Sequence, residues 1–181
     1  MNCGASERTP MTTGKRRLLA VGVTFLTVIW MVVIFAFSSQ PDTESSEVSG
    51  RVSYQLVEGW NTAFQLEHTE AELEAAALRI EFPVRKCAHM TEYAILALLV
   101  LASIAVWRGR SAVKHYGLAL LTAFLYACTD EFHQLFISGR AGRFTDVLID
   151  TTGAFLGLFL MYLIVRWVRG RQHRRSVMLR K

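Results

Sequence analysis

The chain has 181 residues, which suggests a single domain at about 150 residues per domain. Hydrophobic residues make up 52% of it and charged residues only 19%, against about 25% in soluble domains, which excludes an ordinary soluble enzyme. The 3 Pro and 12 Gly exclude a collagen-like or disordered chain, and 3 Cys exclude a disulfide-stapled mini-protein.

Four apolar stretches predict an all-α membrane bundle with four transmembrane helices, at about residues 18–37, 84–107, 113–136 and 147–168. The first is uncharged and would rise about 30 Å as a helix. The third is long enough to cross only if it continues through Asp130 and Glu131. A cleaved signal peptide is the alternative for the first stretch, because Lys15–Arg17 precede it and a small-residue pattern follows at Ala36. Signal peptides, however, have apolar cores of only about 7–15 residues.

The segment 38–82, between the first and second stretches, predicts short amphipathic helices in an outer loop. Over residues 46–60, Val48, Val52 and Leu56 recur every four residues and form one apolar stripe. This stripe suits either the membrane interface or packing on the bundle. Thr69 and Glu72 have the spacing of a capping box, which predicts a short acidic helix over residues 71–81. Pro83 would then open the second span.

The charges between the spans predict their direction. With the N-terminus inside, 14 of the 20 Lys and Arg lie on the inner side, and 14 of the 15 Asp and Glu lie on the outer side. The positive-inside rule then favours N-in, C-in, with residues 1–17 and the tail 169–181 as basic cytoplasmic segments around a membrane domain at 18–168. The net charge of +5 thus reflects topology, and no nucleic-acid partner is predicted.

Polar residues concentrate at the outer ends of the last three spans. On the third span, Asp130, His133 and Gln134 share one face, while Glu131 points about 100° away from Asp130. A charge at mid-bilayer costs about 2.5–3.5 kcal/mol, so we expect these side chains to face one another rather than lipid. We call this set the polar cluster: Arg85, Lys86, His89, Glu92, Asp130, Glu131, His133, Gln134, Arg140, Asp146 and Asp150.

Three weaker patterns accompany the polar cluster. No His pair has the i, i+4 spacing of a metal site, so no metal or cofactor is predicted, although Asp146 and Asp150 at that spacing could share a divalent ion. Gly153 and Gly157 form a GxxxG pattern, for which packing inside the same bundle is expected. Two cysteines, at positions 87 and 128, lie near the outer helix ends, where they could form a disulfide but are predicted to be free thiols.

Several motifs occur in order and with short gaps between residues 16 and 167. They are the SSQP sequence at 38–41, RKCAHMTEY at 85–93, DEFHQLF at 130–136, GR at 139–140 and DVLIDTTG at 146–153. In this order they resemble the VanZ-like family of bacterial membrane proteins, whose namesake is linked to resistance to the glycopeptide teicoplanin. The resemblance implies a small helical membrane bundle in the cell envelope, and relationships drawn for the family point toward enzymes acting on lipid head groups.

Two functions follow from this resemblance together with the polar cluster. As an enzyme of the cytoplasmic membrane, the protein would modify or hydrolyse lipid or lipid-linked envelope precursors at the outer leaflet. Arg85, Lys86 and Arg140 would hold the phosphate, with Gln134, Asp146 and Asp150 completing the binding site. His89 or His133 would act as acid or base, assisted by Glu92, Asp130 and Glu131. The alternative is a non-catalytic membrane protein whose polar cluster binds lipid or glycopeptide, or only holds the bundle together.

Overall fold

The computed structural model describes residues 12–109 and 112–178, and this part of the chain is all helical, with no strand. The five helices are α1 (Thr13–Ser38), α2 (Asp42–Ala63), α3 (Glu70–Arg108), α4 (Val113–Gln134) and α5 (Phe144–Met178). Parts of the predicted basic segments, including Arg8, Arg110 and Lys181, lie outside the described residues.

Three of these helices, α1, α3 and α5 over Phe144–Ser176, are long and apolar enough to cross a membrane. They contain the predicted first, second and fourth spans. The third predicted span forms α4, at the expected place but without a sufficiently apolar stretch. Among its 22 residues, Lys114 and His115 lie near the start and Asp130 and Glu131 near the end, which leaves a short apolar middle. A fourth crossing therefore stays a prediction.

The predicted break between a short acidic helix and the second span is wrong. Residues 70–108 form one helix of 39 residues with Pro83 inside it. A proline inside a helix removes one backbone hydrogen bond and costs about 3 kcal/mol. Contacts on both sides of it oppose this cost, since Arg85 donates to Glu81 at 2.5 Å across the proline and α2 packs along the same stretch. The capping box at the start of α3 is confirmed, because Glu72 accepts from the Thr69 backbone N–H at 2.8 Å.

Helix α2 packs on α3 through small residues. Ser49 and Ser53 are buried, and the Ser49 hydroxyl donates to Glu81 at 2.8 Å. The apolar stripe that begins at Val48 is largely exposed, with Val48 itself at 54%, although Leu56 at its other end lines a pocket together with Leu73 and Ile80 of α3. Near the far end of α2, Tyr54 donates to a carboxylate of α3 at 2.9 Å, and this bond raises the pKa of Tyr54.

Helix α3 is the centre of the bundle and packs against all four other helices. The expected use of the GxxxG pattern is confirmed. Gly153 lies against the backbone of Met90 and Gly157 against Ala94, so that α5 approaches α3 closely where a side chain would collide.

The helix directions divide the bundle into two ends. Helices α3 and α5 run in one direction and α1 and α4 in the other. At one end, which we call the closed end because this contact ties α1 to α3, Arg16 meets the last turn of α3. At the cavity end, Gln134 meets Ser38 and Lys86 meets Asp146.

Candidate functional site

A cavity of about 250 Å³ opens at the cavity end, where the start of α5 meets α3 and the end of α4. Eight of the eleven residues of the predicted polar cluster line it; Glu92, Asp130 and His133 do not. The lining residues are Asp42, Phe82, Arg85, Lys86, His89, Glu131, Gln134, Gly139, Arg140, Ala141, Arg143, Asp146 and Asp150.

Two of the lining cations already have anionic partners. The Lys86 ammonium lies 2.8 Å from a carboxylate oxygen of Asp146. Arg85 donates to Asp42 of α2 at 2.7 Å and to Glu81 of α3 at 2.5 Å, and it also reaches the Ser46 hydroxyl. Arg85 therefore ties α2 to α3. Sequence reasoning missed Asp42, because nothing in a pattern indicates a partner 43 positions away.

A tight loop brings Arg140 over the cavity. Gly139 has a left-handed backbone with φ of 76°, and a Cβ on Gly142 would collide with the Glu131 backbone. Arg140 donates through Nε to the Gln40 carbonyl at 2.9 Å. Its two terminal nitrogens have no partner among the described residues. The N–H groups that could bind two oxygens of a phosphate or carboxylate are therefore unused.

Besides Asp146, which pairs with Lys86, two carboxylates line the cavity from α4 and α5. Asp150 is only 2% exposed, and no residue in the described part of the chain donates a hydrogen bond to it. One oxygen of Glu131 accepts from the Arg143 backbone N–H at 2.8 Å, which fixes this carboxylate and leaves its other oxygen open. The sequence placed Glu131 beside the polar face of the third span. The structure instead buries it in the wall, because the loop folds back over it.

His89 is the histidine of the cavity. Its Nδ1 is buried, makes no hydrogen bond within the described structure and lies 3.7 Å from a carboxylate oxygen of Glu92. Glu92 itself lies one helical turn further from the opening. The two side chains are neighbours but are not hydrogen-bonded at this distance; a carboxylate that does reach a ring nitrogen can orient an imidazole for proton transfer.

A second polar layer lies one turn below the cavity. Asp130 is 2% exposed and the Tyr93 side chain is fully buried, and neither the carboxylate nor the hydroxyl makes a well-formed hydrogen bond with a described residue. Above them, Gln134 donates to the Ser38 hydroxyl at 2.9 Å. Asp130, which was predicted to face the site, therefore lies beneath the residues that line the cavity.

The expectation that His133 shares the cavity with Asp130 and Gln134 is wrong. His133 faces α1, with Nε2 at 3.2 Å from the Ser39 hydroxyl oxygen and the ring centre at 4.4 Å from that of Phe35. Successive helical residues differ by about 100°, so positions 133 and 134 flank position 130 on opposite sides. Helix α1 covers one side and the cavity opens on the other.

The structure also locates the candidate metal ligands and the two cysteines at 87 and 128. Over residues 12–109 and 112–178, no three His, Cys, Asp or Glu side chains are placed to hold a metal ion. Asp146 pairs with Lys86. Cys87 and Cys128 are both free, as predicted, but neither is buried: Cys87 is exposed and Cys128 is half-buried.

The comparisons with known proteins fit this architecture. The VanZ/LLP1 family model matches residues 23–166, which include most of α1, all of α2, α3 and α4, and α5 as far as Arg166. Neither the comparison with curated proteins nor that with solved structures gave a match. The match covers most of the chain and includes every residue that lines the cavity. This all-helical membrane protein therefore belongs to the VanZ/LLP1 family.

Proposed function

We propose that this protein is a multi-pass enzyme of the bacterial cytoplasmic membrane that modifies or hydrolyses the head group of a lipid or lipid-linked envelope precursor at the outer leaflet. The observation that carries the proposal is one cavity holding three kinds of group: a guanidinium whose terminal nitrogens have no partner among the described residues, a histidine with a carboxylate behind it, and two carboxylates without an ion-pair partner among those residues. Anion binding and proton transfer need these groups within reach of one substrate.

Arg140 is the best-placed residue to hold a phosphate. Its Nε is fixed by the Gln40 carbonyl and its terminal nitrogens are free to bind two oxygens at once. Lys86 supports it as a neighbouring cation, although Asp146 already neutralises part of its charge. The terminal nitrogens of Arg85 already bind carboxylates of α2 and α3, which favours a structural role for this residue.

His89 is the acid–base group of the proposal. Because its Nδ1 faces Glu92, the other ring nitrogen is the one available to the substrate or to an attacking water. The free oxygen of Glu131 and the carboxylate of Asp150 lie in the same wall and would position that water or a substrate hydroxyl.

The size of the cavity favours a head group over a whole lipid. Its 250 Å³ is below the roughly 300–1,000 Å³ of sites that enclose drug-sized ligands. Acyl chains or a polyprenyl chain would stay outside it, against the exposed apolar surfaces of the helices, where Phe155 and Leu160 are about half exposed.

The two histidines provide the test. We expect a deletion strain to accumulate or lack a lipid or lipid-linked species, and a plasmid copy with His133→Gln to restore the normal lipid profile. His89→Gln should not, since loss of acid–base catalysis typically costs about 10²–10⁴-fold in rate. Lipid mass spectrometry and the membrane level of each variant are measured together.

Three results would overturn the proposal. They are an unchanged lipid profile in the deletion strain, full restoration by His89→Gln, and equal loss with both variants. A profile that changes but is restored by His89→Gln would indicate binding without turnover, which is the non-catalytic alternative.

A further inference from the structure

Two groups of opposite charge face the cavity without an ion-pair partner among the described residues. Arg140 has two unpaired terminal nitrogens on the side of the loop. Asp150, on α5, is 2% exposed and receives no hydrogen bond from any described residue. A buried carboxylate without a donor is costly, and the cost is relieved when a cation or hydrogen-bond donor reaches it.

The other charges of the cavity do not supply that donor. Lys86 is engaged with Asp146 at 2.8 Å, and Arg85 with α2. The Arg143 side chain is exposed, and its backbone N–H is already used by Glu131. The buried carboxylate therefore lines the cavity, and no described residue forms an ion pair or hydrogen bond with it, although the charge of Lys86 is close enough to act on it.

From this arrangement we infer that the ligand is zwitterionic, with a phosphate on Arg140 and a primary ammonium on Asp150. The free oxygen of Glu131 is a second acceptor for the ammonium. The inference rests on the proposed function and names its substrate class: a phosphate joined by a short linker to an amine. An aminoalkyl phosphate has this chemistry, whether it is free or the head group of a phospholipid.

A pair of soluble probes separates the two charges. Phosphoethanolamine and glycerol 3-phosphate carry the same phosphate, but only the first carries an ammonium. Binding to the full-length protein in phosphatidylglycerol nanodiscs is measured by calorimetry and by the shift of the melting temperature. We expect phosphoethanolamine to bind at least about tenfold more tightly, a difference of about 1.4 kcal/mol.

Variants assign this preference to the two residues. Asp150→Asn should reduce the preference to less than about twofold while glycerol 3-phosphate still binds. Arg140→Gln should weaken both probes. Glu47→Gln, which removes an exposed acid of α2 outside the cavity, should change neither. Should Asp150→Asn fold poorly, Asp150→Glu keeps the carboxylate and is expected to keep the preference.

A second arm distinguishes a lipid from a soluble ligand. Nanodiscs of phosphatidylethanolamine and phosphatidylglycerol in equal parts are used, and the lipids retained on the protein are measured by native mass spectrometry. Enrichment of phosphatidylethanolamine, lost in Asp150→Asn, supports a lipid head group; a preference for soluble phosphoethanolamine alone supports a free ligand.

Absence of an amine preference in both arms overturns the inference, as does a preference that survives in Asp150→Asn. Either result leaves the proposed function standing if the His89→Gln experiment succeeds. Conversely, a clear amine preference with an unchanged lipid profile in the deletion strain would retain the zwitterionic site and reject turnover.

Discussion

The two ends of the bundle use charged residues in opposite ways. At the closed end, Arg16 donates through Nε to the Val106 carbonyl at 2.9 Å and through a terminal nitrogen to that of Trp107 at 2.6 Å. These carbonyls belong to the last turn of α3, where no further helical N–H reaches them. The guanidinium also lies against Gly109, and it lines a pocket of about 370 Å³ between α1 and the end of α3, together with Arg17 and Trp107.

At the cavity end, the charged residues leave donors and acceptors unused. The loop after α4 holds Arg140 by its Nε alone, and Asp150 has no donor in the described structure. The comparison teaches that charge content does not identify a site in a helical bundle. What distinguishes the cavity end is charge that the fold itself does not neutralise.

The largest expected difference is in the activity of reporter enzymes fused on the two sides of the membrane, which tests the orientation of the two ends. With the cavity end outside, alkaline phosphatase fused after Glu58 should be active, and the same enzyme at the C-terminus should be inactive. Green fluorescent protein fusions should give the reverse pattern. Activity at the C-terminus alone would place the cavity in the cytoplasm, and activity at both points would mean an even number of crossings between them.

The second prediction is a loss of stability when the close contact between α5 and α3 is overpacked. Gly153→Leu forces a side chain into the Met90 backbone, which cannot move aside as a flexible side chain could. Overpacking typically costs about 1–3 kcal/mol, and we expect the upper part of this range, seen as a lower melting temperature in detergent. Gly22→Leu is the matched control, since nothing lies within 4 Å of a Cβ at Gly22. Equal melting of the two variants would mean that α5 does not depend on this contact.

The helices and their polar ends could be predicted from the sequence because both depend on local patterns. Apolar length locates α1, α3 and α5, and the Thr69–Glu72 spacing locates the start of α3. Pro83 misled the prediction, since a proline was taken as a helix start. The α2–α3 contacts that stabilise it there involve partners about 40 positions apart, which spacing does not reveal.

The partners within the site could not be predicted for the same reason. Helical angles put His133 and Gln134 on either side of Asp130, but only the position of α1 decides which of them faces the cavity. The burial of Glu131 depends on the loop that places the Arg143 N–H on it. The sequence therefore predicted which residue types meet at this end, and the packing decides which of them remain unpaired.

The smallest effect is expected at the closed end, where Arg16→Gln tests the comparison directly. The variant loses charged hydrogen bonds to two carbonyls, each of a kind worth about 1.5–3 kcal/mol when buried. Because Arg16 is partly exposed, water replaces some of this, and we expect a loss of about 1 kcal/mol in stability. Arg17→Gln, which changes an exposed neighbour, should have no measurable effect on stability.

The affinity for phosphoethanolamine should stay unchanged in both variants, since neither residue lines the cavity. A change in that affinity for Arg16→Gln at normal stability would show that the two ends are coupled through α3. It would contradict the conclusion that one end is structural and the other binds the ligand.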